Sequence, residues 1–237
     1  KTGNNFKNIN QINNHETGTI LPITEIGEVV RNHSAVYHVD AVQAVGKLTI
    51  KPEELGIDFL SASGHKFHGP KGVGFLYAST MDFDSYIHGG DQEHKKRAGT
   101  ENLPAIVGMV AAIKEELSKQ TENYQTVQRL QDLFLTKISS LNYYINHGKE
   151  QLPYVLNLGF PGQKNDLLLL RMDLAGISIS TGSACTAGIV QTSHVLKAFY
   201  GNGSHRLHES VRISLSPQNT DEEIIQLVNT LKEIIGD

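Results

Sequence analysis

The sequence predicts an α/β protein. A larger domain built on an open, mostly parallel sheet is expected over residues 1–110, and a helical connection with a smaller α+β domain over 111–237. Three observations carry this. Short apolar strands alternate with helix-patterned stretches between about residues 18 and 80, the pattern of strand–helix–strand units. A long helical stretch follows from about residue 104 to 140. The last third then combines strand-like segments with one clearly signed terminal helix.

Residues 22–30 place Ile23, Ile26, Val29 and Val30 on a helical stripe, with Pro22 near the start. Residues 35–40 read as a short buried strand ending in an acid, Asp40; residues 57–63 and 72–78 read as two more strands. Polar residues that follow such strands sit where open α/β sheets bind ligands. Residues 103–112 are small and apolar, and the chain becomes charged and amphipathic from Glu115 to Lys137. Residues 155–158 and 176–180 are strand-like. Residues 210–216 alternate as a half-exposed antiparallel strand does. Thr220 is a helix N-cap, Glu223 completes a capping box, and Ile224, Ile225, Leu227, Val228, Leu231, Ile234 and Ile235 form the apolar face behind it.

The 237 residues suffice for one large domain or two small ones. A net charge of −4 gives no reason to expect a nucleic-acid partner. No apolar run approaches the ~20 residues that a membrane span needs. Residues 1–14 are polar and rich in Asn, without the apolar core of a secretory signal, and the chain does not begin with Met. A chain that starts inside a longer protein is the expectation. Cys185 is the single cysteine, which excludes an internal disulfide and, by itself, a cysteine metal site. The eleven histidines show no paired metal-ligand spacing, so no metal is expected. A lone thiol and the absence of targeting signals point to the cytoplasm.

The strongest chemical signal runs from Ser61 to Lys66 and on through Gly69 and Gly74. A strand enters a turn of small polar residues, then a lysine, then a glycine-rich return. Hydroxyls and backbone N–H groups at a strand end suit a phosphate. A lysine held there and partly desolvated loses proton affinity, as an amine nucleophile must. By itself Lys66 is more often an ordinary turn lysine. Asp40, upstream at the end of an apolar strand, changes the balance. A buried carboxylate needs a positive partner, and the protonated ring nitrogen of pyridoxal 5′-phosphate (PLP) is one.

The motifs His38-Val39-Asp40-Ala41-Val42-Gln43, Ser63-Gly64-His65-Lys66, His88-Gly89-Gly90, Arg97-Ala98-Gly99-Thr100 and Ser183-Ala184-Cys185 come in one order. Together they resemble the NifS/IscS branch of cysteine desulfurases, fold-type I PLP enzymes of aminotransferase class V. The resemblance covers nearly the whole chain. It implies that Lys66 carries the cofactor, Asp40 pairs with its ring nitrogen, Gln43 hydrogen-bonds its phenolic oxygen, and Ser63 and His65 hold its phosphate. It implies that Thr100 reaches the neighbouring subunit's phosphate in a homodimer. Arg212 is the arginine expected to grip the substrate carboxylate. Cys185, in a run of small residues, is expected to take sulfur from L-cysteine as a persulfide, leave L-alanine, and pass the sulfur to an acceptor protein in iron–sulfur cluster assembly or tRNA thiolation.

Two departures stand out. Residues 13–18, Asn13-Asn14-His15-Glu16-Thr17-Gly18, resemble the family's Asn-Asn-Glu-x-Gly motif: aligning Glu16 and Gly18 puts His15 where the family's cofactor-contacting asparagine stands, and aligning Asn13 and Asn14 instead requires one inserted residue. An imidazole can donate the same hydrogen bond, so His15 is a candidate cofactor contact and Asn14 a candidate substrate contact. The family also has a substantial stretch before this motif, with a ring that stacks on PLP, and residues 1–12 contain no such stretch. Activity of these residues alone is thus open. The competing readings are a non-catalytic remnant or binding subunit, and another class V enzyme such as an aminotransferase or selenocysteine lyase.

Overall fold

The computed structural model describes residues 7–182 and 192–236. The chain opens with two strands, β1 (Lys7–Gln11) and β2 (Thr19–Ile20), that belong to different compact units. The first unit comprises residues 1–12 and 21–120; the second comprises 13–20 and 121–237.

The first unit contains helix α1 (Ile23–Arg31) and strands β3 (Val36–Asp40), β4 (Phe59–Ser63) and β5 (Gly74–Ala78). The sheet order is β1-β3-β4-β5, with the first three strands parallel and β5 antiparallel at the edge. The apolar side chains that alternate along β3 and β4 (Tyr37, Val39, Leu60, Ala62) are buried against Val30, Ala44, Val45, Phe67 and Met109. On α1 the stripe is narrower than the sequence suggests. Val30 is buried and Ile23 and Ile26 pack on the core, but Val29 is 61% exposed. Gly27 lies where a Cβ would strike the Leu55 carbonyl, which is how closely α1 approaches the chain. Burial pushes the Tyr37 phenol up to about 12, while its hydroxyl donates to the Ile23 carbonyl at 3.1 Å.

β1 is a strand that the sequence does not announce. Its residues, KNINQ, have poor strand propensity, and parallel pairing with β3 overrides it. Beyond β5 come a single turn, α2 (Gln92–Lys95), with Glu93 and His94 at positive φ, and then α3 (Leu103–Lys137), a 35-residue helix. The first part of α3, to Gln120, belongs to the first unit.

The second unit contains the rest of α3 and a three-stranded antiparallel sheet of β6 (Tyr144–Ile145), β8 (Val155–Gly159) and β9 (Ser210–Ser214) in that order. The short β7 (Glu150–Gln151) pairs with β2. Helices α4 (Asn165–Leu174), α5 (His194–Tyr200), α6 (Arg206–Glu209) and α7 (Asp221–Gly236) complete it. Its core includes Leu130, Phe134, Leu156, Leu158, Met172, Val211, Ile213, Val228 and Leu231, all nearly inaccessible. The capping box of α7 forms as expected. Thr220 Oγ1 accepts from the Glu223 N–H at 3.2 Å, and Glu223 Oε2 accepts from the Thr220 N–H at 3.1 Å. Residues 176–180 are not a strand. Only Ser180 pairs, in an isolated bridge to Arg212. None of the described helices is long and apolar enough to cross a membrane.

Candidate active site

Three parallel strands end together in the first unit. Gln11 of β1 lies opposite Asp40 of β3, and Asp40 lies opposite Ser61 of β4. The carboxyl ends of parallel strands are the ligand-binding edge of an open sheet. Asp40 is the last residue of its strand and is partly buried. Its Oδ1 accepts from the Val42 N–H at 2.9 Å, which starts the turn that carries Gln43.

β4 runs directly into a 3₁₀ turn at Gly64–Phe67. Phe67 takes the inward position and is 2% exposed, leaving His65 and Lys66 facing outward. The expected partial desolvation of Lys66 is therefore not provided by the described residues: its side chain is exposed. Ser63 Oγ and His65 Nδ1 are 2.9 Å apart, so the hydroxyl and imidazole flank one end of the lysine turn. The return is held by Gly64 N–H to the Val73 carbonyl and Gly69 N–H to the Gly64 carbonyl, both 2.9 Å. A Cβ at Gly69 would lie 2.9 Å from the Gly64 oxygen, so only glycine permits this closure. The first half of α3 buttresses the turn, with Met109 against Gly64 and Gly69 and Gly108 against Pro70.

Two further charged side chains belong to this site, and sequence reasoning missed both. Lys47 Nζ donates to Gln43 Oε1 at 3.4 Å. Burial pushes its amine down to about 8; the charge of Lys66 acts in the same direction and that of Glu116 opposes it. Glu116 on α3, largely buried, lies 3.6 Å from His68 Nε2. The spacing of Lys47 from Gln43 along a turn was the available signal. The involvement of Glu116, distant in sequence, had none.

Thr100 lies in an exposed loop. The loop is braced by Arg97, which donates to the Gly99 carbonyl at 2.6 Å and pairs with Glu93 at 3.2 Å, and by the Gly99 N–H, which donates to Gln92.

The second unit holds Asn14, His15 and Arg212. Asn14 Oδ1 accepts from the N–H groups of Glu16 and Thr17, at 2.9 and 3.0 Å, and so closes the turn from 14 to 17. Arg212, partly buried in mid-β9, donates from Nη1 to the His15 carbonyl at 3.0 Å. His15 thus meets Arg212 through its backbone. Its imidazole Nε2 lies 4.0 Å from Glu16 Oε1. Glu16 is completely buried: Ser193 Oγ donates to its Oε2, Asn157 Nδ2 donates to its backbone carbonyl at 3.2 Å, and His194 Nδ1 lies 3.9 Å from Oε1. Ser193 also caps α5 by accepting from the Leu196 N–H. This Glu16 cluster escaped the sequence reading because its partners are about 180 residues away. Cys185 lies outside the described residues.

The chain is 45% identical over 226 residues to IscS 1 of Bacillus subtilis (strain 168), covering 94% of this chain and 60% of that protein. It is 39% identical over 225 residues to the cysteine desulfurase IscS of Methanosarcina thermophila, covering 94% and 55%. A solved NifS-like protein superposes with a TM-score of 0.88 at 32% identity, over 98% of this chain and 61% of that one. The chain therefore spans somewhat over half the length of the curated relatives it matches. Its strand ends, lysine turn and arginine strand fall within residues 8–227, which match the family described as aminotransferase class-V, and the chain belongs to that family.

Proposed function

We propose that this chain carries the lysine, ring partners and thiol of a PLP-dependent cysteine desulfurase, which converts L-cysteine to L-alanine and places the sulfur on Cys185 as a persulfide. The observation that supports this most is the gathering of Asp40, Gln43, Ser63, His65 and Lys66 at the carboxyl ends of parallel strands. That set offers one partner for each kind of group on the cofactor: a carboxylate for a protonated ring nitrogen, an amide donor for a phenolate, a hydroxyl and an imidazole for a phosphate, and an amine for an aldehyde.

Bound PLP supplies an electron sink for the substrate carbons. Lys66 anchors the cofactor and, once released, holds and moves the proton at the substrate α-carbon. Asp40 keeps the ring nitrogen protonated. Arg212 binds the substrate carboxylate, with its guanidinium steadied by the His15 carbonyl. The Cys185 thiolate takes the substrate sulfur: an S–S bond forms as the C–S bond breaks, and the carbon keeps the electron pair and gains a proton to give alanine. The sulfur then passes to an acceptor protein for iron–sulfur cluster assembly or tRNA thiolation, in the cytoplasm.

A homodimer belongs to this reading. Leu103, Val107, Val110 and Leu117 are 64, 67, 40 and 53% exposed and lie on one stripe of α3. A second copy covering that stripe accounts for it, and Thr100 then serves the partner's cofactor phosphate.

The test is a single turnover with sulfur-labelled L-cysteine. Label and alanine should appear together in equal amounts, with the label on Cys185, and Cys185→Ala should lose both while keeping its cofactor. Full sulfur release by Cys185→Ala contradicts the persulfide step. The exposure of Lys66 favours a second reading, in which these residues hold the fold without a complete site. A protein that takes up no added PLP decides for that one.

A further inference from the structure

The orientation of the Gln43 amide is controlled by a neighbour. A glutamine side chain carries an oxygen that accepts and an NH₂ that donates, two ends of nearly equal size. A phenolate oxygen can be served only by the NH₂ end. Gln43 sits on an irregular turn, and the feature there that tells its two ends apart is Lys47. The Lys47 ammonium only donates, so it takes Oε1, at 3.4 Å, and turns Nε2 the other way.

Lys47 is itself held in place. It follows Gly46, at a φ of +83°, where a Cβ would lie 3.2 Å from the Glu116 Cβ and 3.5 Å from the Phe67 Cβ. The chain therefore passes close to both α3 and the Lys66 turn just before Lys47. The groups that act on its amine include Gln43 on its own turn, Lys66 on the 3₁₀ turn and Glu116 on α3, with His68 3.6 Å from Glu116. Burial and the Lys66 charge disfavour the ammonium, while Glu116 supports it.

We propose that Lys47 is a positioning residue that, by occupying Oε1 of Gln43, commits Nε2 as the donor to the cofactor's phenolic oxygen. The proposal rests on the cofactor reading of Gln43 given above. Lys47 touches neither cofactor nor substrate; its effect is read through Gln43.

The test follows the visible absorption of the PLP-loaded protein as pH is varied. A donor on the phenolic oxygen favours loss of the proton shared between that oxygen and the lysine nitrogen. Lys47→Met should therefore raise the midpoint of the titration by about 0.5–1 pH unit, the size expected for one ordinary hydrogen bond. Lys47→Arg, also a pure donor, should restore the midpoint. Gln43→Leu should raise it as much, and adding Lys47→Met to Gln43→Leu should change nothing further. A Lys47→Met shift that persists undiminished in the Gln43→Leu background overturns the proposal, because Lys47 then acts on Lys66 directly through its charge. A Lys47→Met protein with an unshifted midpoint overturns it as well. A wild-type protein with no visible band overturns the cofactor reading itself, and the proposal with it.

Discussion

Arg212 shows how one side chain would be prepared for the role proposed for it. A guanidinium on a strand in water samples many rotamers, and fixing it costs entropy when a ligand binds. Here Nη1 already donates to the His15 carbonyl, and the backbone of Arg212 is tied on both sides to Ser180. Fewer states remain to be lost when a carboxylate arrives. Arg212→Ala should raise KM for L-cysteine by roughly 10- to 100-fold, the loss of one or two charge-assisted hydrogen bonds, measured by initial rates of alanine formation. An unchanged KM would remove Arg212 from the substrate site. At this scale the sequence was readable where the chemistry is local. Asp40 and Ser63 end their strands and His65 and Lys66 follow within three residues, so strand position marked them as candidates, and the family resemblance gave them their expected roles. Glu116 near Lys47, and Ser193 on Glu16, are brought together by the fold alone. Nothing in their own neighbourhoods marks them.

Among the elements, α7 shows local signals agreeing with tertiary demand. Both bonds of its capping box form, and its apolar stripe buries Ile224, Leu227, Val228, Leu231 and Ile234. Thr220→Ala should lower stability by about 1 kcal/mol, the usual value of such a cap, read as a shift in the denaturant midpoint at constant slope. A shift indistinguishable from zero would mean that the box is redundant with the packing behind it. β1 is the opposite case, a polar segment made into a strand by a partner. Residues 176–180 are a third case: Ile177 and Ile179 gave strand-like alternation, but only Ser180 finds a pairing partner. Period-2 patterning selects a face, and it cannot supply the neighbouring strand that a ladder requires.

For the molecule as a whole, the predicted α/β character with a mostly parallel sheet is what the chain forms, while its second compact unit is slightly the larger of the two. The division between its compact units falls within α3 and on either side of residues 13–20, features that no composition shift marks. The proposed dimer would bury the exposed apolar stripe of α3. Val107→Glu would place a charge at the centre of that stripe, where burial in an interface is costly. Sedimentation should then show a dimer for the wild type and a monomer for the variant. A monomeric wild type would remove the dimer and, with it, the role given to Thr100.

Lys66 is proposed as the residue to which the cofactor is attached. Borohydride reduction of the PLP-loaded protein makes that bond permanent, and peptide mapping by mass spectrometry then locates it. The pyridoxyl mass should be found on the peptide containing Lys66 and be lost in Lys66→Ala. A label found instead on Lys47, Lys71 or no single lysine would overturn the assignment of Lys66.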